Sequence, residues 1–347
     1  MSIMKKITRL AAALCATALF TPLSHAEDLV VGANSSGVTI DFTSGTNAYD
    51  NTFVGYDPGA NANTLNVYNT NTVLTNSGDL TVGRSGSGNS LVISNAGTVA
   101  NTTGTIGNNS FSSNNIVLVT GASSLWTNTG DVRIGFQSRG NSLVISNAGT
   151  VANDWGLIGA YYSSDNSALV TGANSLWTNS GALYVGNAGS GNTLVISNAG
   201  TLANSLGFIG IASSATSNRV LVTGTNSLWS NSGDVKFNGS GSSLTISNGG
   251  RVADANSFIG NDADSYNNSA LVTGVNSLWT NSGDVVVGND GSGNSLVISD
   301  GGRVADANGY IGYGADSSNN SALVTGAGSL WTNSADLYVG GNELCPS

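Results

Sequence analysis

The sequence predicts an all-β fold, a parallel β-solenoid (β-helix) of about 12 coils with two coils in each repeat of about 51 residues. Three observations carry that expectation. A Ser-Leu-Trp-Thr/Ser-Asn string recurs at Trp126, Trp177, Trp229, Trp279 and Trp331, at intervals of 51, 52, 50 and 52 residues. An earlier copy carries Leu74 where Trp is expected, 52 residues before Trp126. Between these strings lies a second block, LVISNAGTVAN or a close variant, beginning at Leu91, Leu143, Leu194, Leu244 and Leu296. The two blocks are themselves alike: residues 91–100 align with residues 117–126 without a gap, placing Ile93 on Val119, Ser94 on Thr120 and Val99 on Leu125. Counting such halves from Val38 to Gly340 gives 12 units of about 25 residues.

Each unit contains three short β-type runs. The first is the Leu-Val-Ile-Ser run, the second the Thr-Val-Ala-Asn or Leu-Trp-Thr-Asn run, and the third a brief segment ending in Ile/Val-Gly, such as residues 104–107 and 132–135. Asn and Gly separate the runs, and both accept the left-handed backbone that a sharp corner requires. Between the first residues and the tail, Pro58 alone removes a ladder donor from residues 27–340. Helical repeats of similar period are disfavoured because residues 27–347 hold two Glu (Glu27, Glu343) and one Lys (Lys236). A single coil buries too few apolar side chains to order its own backbone, so neighbouring coils must stabilise one another.

The N-terminus reads as an export signal. Lys5, Lys6 and Arg9 precede an 11-residue run from Leu10 to Phe20 that is apolar except for Thr17, and Ser24 and Ala26 supply small residues at a cleavage site. That run is too short for a membrane anchor. Leu14 before Cys15 is too bulky for a lipoprotein cleavage site. The expected organisation is a signal peptide at 1–26, an N-terminal cap and first coil at 27–63, a β-helix repeat domain at 64–340 and an irregular tail at 341–347. Export to the cell surface, the medium or the periplasm is expected, with no transmembrane segment in the mature chain.

Composition excludes several chemistries. Residues 27–347 carry 20 acidic against 7 basic side chains, a net charge of −13, with no His, no Met and one Cys, Cys345. A His-dependent triad and a His/Cys zinc site are therefore ruled out, and no internal disulfide forms. Nucleic acid is not an expected partner, because neutralising phosphates takes many Lys and Arg. No catalytic residue and no organic cofactor are expected.

The repeated blocks, exemplified by residues 168–186 (ALVTGANSLWTNSGALYVG) and the GSGNSLVISNAGTVAN segment around Leu91, resemble the type V secretion and PEP-CTERM-associated repeat. The resemblance covers residues 65–340 and implies a right-handed parallel β-helix in a passenger-like region of exported bacterial proteins, displayed at the cell surface. It brings no catalytic residues. It departs from the autotransporter pattern at the end, where Glu343-Leu344-Cys345-Pro346-Ser347 stands in place of another Leu-Val-Ile-Ser strand. A chain truncated or frameshifted relative to a longer ancestor is the expectation from that departure.

Candidate residues follow from the columns. Leu125 and Trp126 are neighbours and so point to opposite faces of a strand. With Leu125 inward, Trp126, Trp177, Trp229, Trp279 and Trp331 form an outward ladder about 10 Å apart, with Ala100, Ala152, Ala203 and Ala253 making room between them. Such a ladder acts as a packing clasp, or as an aromatic platform for extracellular glycans or a cell-surface partner. Asp79, Asp131, Asp234, Asp284 and Asp336 read as turn residues accepting local backbone hydrogen bonds, and Asn76, Asn128, Asn179, Asn231, Asn281 and Asn333 as a corner ladder. Calcium is a candidate ligand of the acidic loop clusters, chiefly Asp262 and Asp264 with Asp254, whose spacing matches neither common calcium loop. The expected function is a non-catalytic surface scaffold with adhesive loops. The alternative is a β-helix polysaccharide lyase or hydrolase, for which Asp41, Asp50 and Asp57 with Tyr56 are the main acidic group outside the repeats.

Overall fold

The structure is a computed structural model that describes residues 27–340. The signal peptide expected at 1–26 and the tail expected at 341–347 lie outside the described residues. The described chain is all-β and winds through three parallel sheets, as the repeat predicts. Sheet A has 13 strands of three residues, beginning with Leu29–Val31 and Thr52–Val54 and ending with Leu337–Val339. Sheet B has 12 strands, among them Ser90–Ser94 and Ile116–Thr120, and sheet C has 12, among them Thr98–Asn101 and Leu125–Asn128. Every strand pairs with its equivalent one coil away, so the coil is the structural unit. With strands about 4.8 Å apart, 12 coils make a rod roughly 60 Å long.

Strand alternation sets the core. On sheet B the second and fourth residues point inward, giving buried columns such as Leu91, Val117, Leu143 and Ile93, Val119, Ile145. The first and third residues of the sheet A strands do the same, as with Leu80 and Val82 or Val132 and Ile134. The four-residue sheet C strands place their second and fourth residues inside, and the last is polar there as in the longer Thr72–Asn76: Asn76, Asn101, Asn128, Asn153 and their equivalents.

The sheet C register corrects the gapless alignment. Trp126 pairs with Val99 and Leu125 with Thr98, one residue away from the expected match. The cause is the corner between sheets B and C. Three residues, Asn95 to Gly97, join the strands in one coil, whereas four, Gly121 to Ser124, join them in the next. The extra residue is Ser124, whose Oγ accepts the Ala96 backbone N–H of the shorter corner at 3.0 Å. Ser175, Ser227, Ser277 and Ser329 repeat that contact with Ala148, Ala199, Gly249 and Gly301. Because the side-chain period of a strand is two, a one-residue slip exchanges its faces.

A second buried column joins the coils where sheet A turns into sheet B. Asn63, Asn89, Asn115, Asn141, Asn166, Asn192 and Asn218 form a ladder with Asn268, Asn294 and Asn320, interrupted at Ser242. At each step one Oδ1 accepts two donors from the preceding coil, the backbone N–H and the side-chain Nδ2 of its Asn. For Asn141 to Asn166 those distances are 3.0 and 3.1 Å. At the break, Ser242 Oγ accepts the Asn218 N–H at 3.3 Å. Every Asn of the ladder except Asn268 lies against a glycine of the coil before, where a side chain does not fit. A Cβ on Gly135 (φ +75°) would overlap the Asn166 amide, and one on Gly83 (φ +76°) that of Asn115.

Replacing Asn166 by Ala leaves the Asn141 N–H and one of its Nδ2 donors buried without their acceptor. The expected loss is about 2–4 kcal/mol in the local opening free energy of residues 135–170, read by native-state hydrogen exchange. Gly135→Ala is expected to cost at least as much, since it adds left-handed backbone strain to the overlap.

Candidate functional site

The Trp column is the first candidate, and the structure places it inside. Trp126, Trp177, Trp229 and Trp279 are fully buried, and Trp331, on the last coil, is half-buried. The expected outward ladder is therefore wrong, for the register reason given above: Leu125 and its equivalents face outward. Rings enclosed in the core offer no platform to a glycan. They act as a clasp instead. Trp126 Nε1 donates to Asn101 Oδ1 of the preceding coil at 2.8 Å, and Trp177 and Trp229 do the same to Asn153 and Asn204 at 2.8 Å.

Room for each indole comes from its own coil. Gly104, Gly156, Gly207 and Gly309 open the sheet A strands of four of the Trp coils, where a Cβ would meet the Cζ2 edge of the ring, and the Trp279 coil carries the small Ser257 there. The other coils carry Leu80, Val132, Leu183, Val235 and Val285 at that position. Where Leu74 replaces Trp, Thr52 replaces Gly, and its Oγ1 bonds Asn76 Oδ1 at 2.6 Å. Indole and glycine thus compensate one another in volume, as a close-packed core demands.

The polar end of the clasp changes chemistry late in the chain. Asp254 and Asp306 stand where earlier coils have Asn101, Asn153 and Asn204. Trp279 Nε1 donates to Asp254 Oδ2 at 2.8 Å, Ser257 Oγ to Asp254 Oδ1 at 2.8 Å, and Asn281 Nδ2 also donates to Oδ1. Trp331 Nε1 donates to Asp306 Oδ2 at 2.6 Å. In the Asn coils the next amide is turned the other way: Asn101 Nδ2 donates to Asn128 Oδ1 at 2.7 Å. Burial pushes the Asp254 carboxyl up to about 7, against the three donors that favour its charge, and Asp234 adds to the rise. Burial also raises Asp306.

The expected calcium trio does not assemble. Asp254 lies in the core with its oxygens bonded to Trp279, Asn281 and Ser257, whereas Asp262 and Asp264 are exposed on a loop. Asp262 is bonded to Asn238 and Asn261. Among the described residues no group of three or more His, Cys, Asp or Glu converges. Asp41, Asp50 and Asp57 fall on three different parts of the coil. Asp41 accepts from Asn66 on the sheet B face and Asp50 from Ser77 at a sheet C corner, while Asp57 follows a sheet A strand. Arg84 lies over the Tyr56 ring, 4.1 Å from its centroid.

The repeated Asp column sits at the turn into sheet A, and its carboxylates accept from the following coil. Asp79 Oδ1 takes the Thr103 N–H at 3.1 Å, and Asp284 Oδ1 takes the Asn308 N–H at 3.1 Å. Asp131 and Asp234 also hold Arg133 at 2.8 Å and Lys236 at 3.4 Å.

The outward-facing aromatic column is elsewhere, mostly half-buried on the outer face of sheet A. Its central residues include Arg133, Tyr184, Phe208, Lys236, Phe258, Tyr310 and Tyr338. Tyr184 stacks on Phe208 with centroids 5.1 Å apart, and Tyr310 on Tyr338 at 4.9 Å. Near-parallel rings at coil spacing cover each other's faces, so this column ties coils together from outside. Its sequence signal is the middle residue of each Ile/Val-Gly segment.

No family model, curated protein or solved structure matches the chain. Among the described residues no helix is long and apolar enough to cross a membrane.

Trp177→Ala is expected to open a cavity and orphan Asn153 Oδ1, costing about 3–5 kcal/mol in denaturant or exchange measurements. Asp254→Asn has a pH-dependent outcome. A carboxyl raised from 3.8 to about 7 on folding stabilises the fold below about pH 4 and loses that contribution as pH rises through 7. Exchange of residues 252–281 is therefore expected to be slower in Asp254→Asn than in the wild type at pH 8. The difference is on the order of 4 kcal/mol at most and vanishes towards pH 4. An equal difference at both pH values would show that the group does not titrate.

Proposed function

We propose that the protein is an exported, non-catalytic scaffold, passenger-like in architecture, whose faces and loops present contacts at or outside the cell surface. The observation that carries this reading is the unbroken registry of the three sheets. Every strand stacks on its equivalent, so each outward position becomes a column of side chains along the rod. Such a surface repeats one contact many times, which suits multivalent attachment or spacing. The loops between sheets A and B differ most among coils, with Phe111, Tyr161, Tyr162 and Tyr266 exposed on them. Loops on a rigid scaffold are where recognition concentrates. The basic and apolar segments at residues 1–26 and the resemblance of residues 65–340 to the type V secretion and PEP-CTERM-associated repeat support export.

The test is made on the producing cells. Sequencing the N-terminus of the mature protein is expected to read Glu27-Asp28-Leu29, and protease added to intact cells is expected to degrade it. A chain that keeps Met1 and resists protease until the cells are lysed would overturn the reading.

A further inference from the structure

We propose that an open groove between Arg251 and Arg303 binds an acidic polysaccharide laid along the axis of the rod. The groove has a volume of about 480 Å³ and runs beside the corners that join sheets B and C, from Asn226 to Gly328. Arg251 and Arg303 open the sheet C strands Arg251–Asp254 and Arg303–Asp306, and Leu278 pairs with both from the coil between them. Both arginines are exposed, and among the described residues neither guanidinium makes an ion pair or hydrogen bond. Two coils separate them, roughly 10 Å at the usual strand spacing.

Coordinated substitutions mark this groove off from the rest of the rod. Earlier coils carry Thr98, Thr150 and Thr201 at the arginine position, and Ala96, Ala148 and Ala199 at the preceding corner. The two arginine coils carry Gly249 and Gly301 at that corner, both lining the groove. Losing the Ala methyl deepens the corner in the same coils that gain the cation. Val275 adds an exposed apolar wall, and the Asn226 and Asn276 amides add neutral polar groups. Asp300 precedes Gly301 on the corner and accepts a long bond from Thr273 Oγ1 at 3.4 Å; it offsets part of the positive field.

The chemistry selects the occupant. Unpaired guanidinium groups take carboxylate or sulfate in charge-assisted, bidentate geometry. Two cations on residues 27–347, which carry a net charge of −13, are too few for a nucleic acid, whose phosphates crowd one charge into each ~1.7 Å of duplex. They suit a polymer with sparse anions and hydroxyls between them. An extended sugar ring spans about one coil step, so a carboxylate on every second sugar meets an arginine on every second coil. This assignment goes beyond the scaffold reading and does not depend on where the chain resides.

The test uses the full chain with hyaluronan, which bears one carboxylate on every second sugar, and dextran as the neutral probe. Calorimetry is expected to show binding to hyaluronan that weakens as salt rises, and none to dextran. The double variant Arg251→Ala/Arg303→Ala is expected to lose at least tenfold in affinity, with Arg251→Lys/Arg303→Lys losing less. Arg219→Ala, on the sheet B face, is expected to stay within twofold, and unchanged circular dichroism shows that each variant folds. Equal binding of dextran and hyaluronan, undiminished binding by the double Ala variant, or duplex DNA competing as well as hyaluronan would each overturn the proposal.

Discussion

The buried amide ladder at the turn from sheet A to sheet B is the constraint on which the rest depends. A coil of about 25 residues must turn three corners, and each corner buries backbone donors that the parallel ladders leave unpaired. From Asn89 to Asn320, in every coil but those of Ser242 and Asn268, one Asn side chain closes that account by accepting both a backbone N–H and an amide from the coil before. A side chain with one acceptor oxygen and two donors is needed, and Asp or Leu of similar size cannot supply both. The amide in turn forbids a Cβ on the neighbouring glycine, as at Gly83 and Gly135. Ten of the chain's Asn and nine of its Gly are thus dictated by one contact repeated coil by coil.

The same logic explains why two coils form one repeat. An indole is too large to stand in every coil, so Trp coils alternate with coils bearing Val99, Val151, Leu202, Val252 or Val304. Glycine in the facing sheet A strand, or Ser257 in the Trp279 coil, and one more residue at the corner accompany each Trp. The 51-residue period is therefore a packing period, set by how often a large ring can be accommodated.

The solenoid was legible because its columns are nearly identical and turn residues punctuate them. The side of the Trp column was not legible from the gapless alignment of residues 91–100 with 117–126. An insertion of Ser124 leaves sheet B in register while exchanging the faces of sheet C, and local similarity cannot show on which side of a corner a gap falls. The alternation Val99, Asn101 against Trp126, Asn128 held the answer, since the Asn of both strands recurs and anchors the register. The ladder from Asn63 to Asn320 was also readable, as the Asn two residues before each sheet B apolar run, but Asn near Gly reads first as turn chemistry. The pairing of Arg251 with Gly249, and of Arg303 with Gly301, lay within visible repeats and gained meaning only when corners of neighbouring coils were placed side by side.

Arg251 and Asp254 belong to one tetrapeptide, as do Arg303 and Asp306, and strand alternation sends the two charges to opposite faces. The inward acid is a cost: earlier coils use Asn there, and burial opposes its ionisation. The outward base stays exposed at the surface. In a fold with one shared core, such a pair of changes would be felt throughout. In a solenoid each coil contacts only its neighbours, so the cost stays within a few coils while long sheets on either side hold the groove in place. A quasi-one-dimensional fold can therefore carry a locally weakened, chemically distinct patch without altering the rod that presents it.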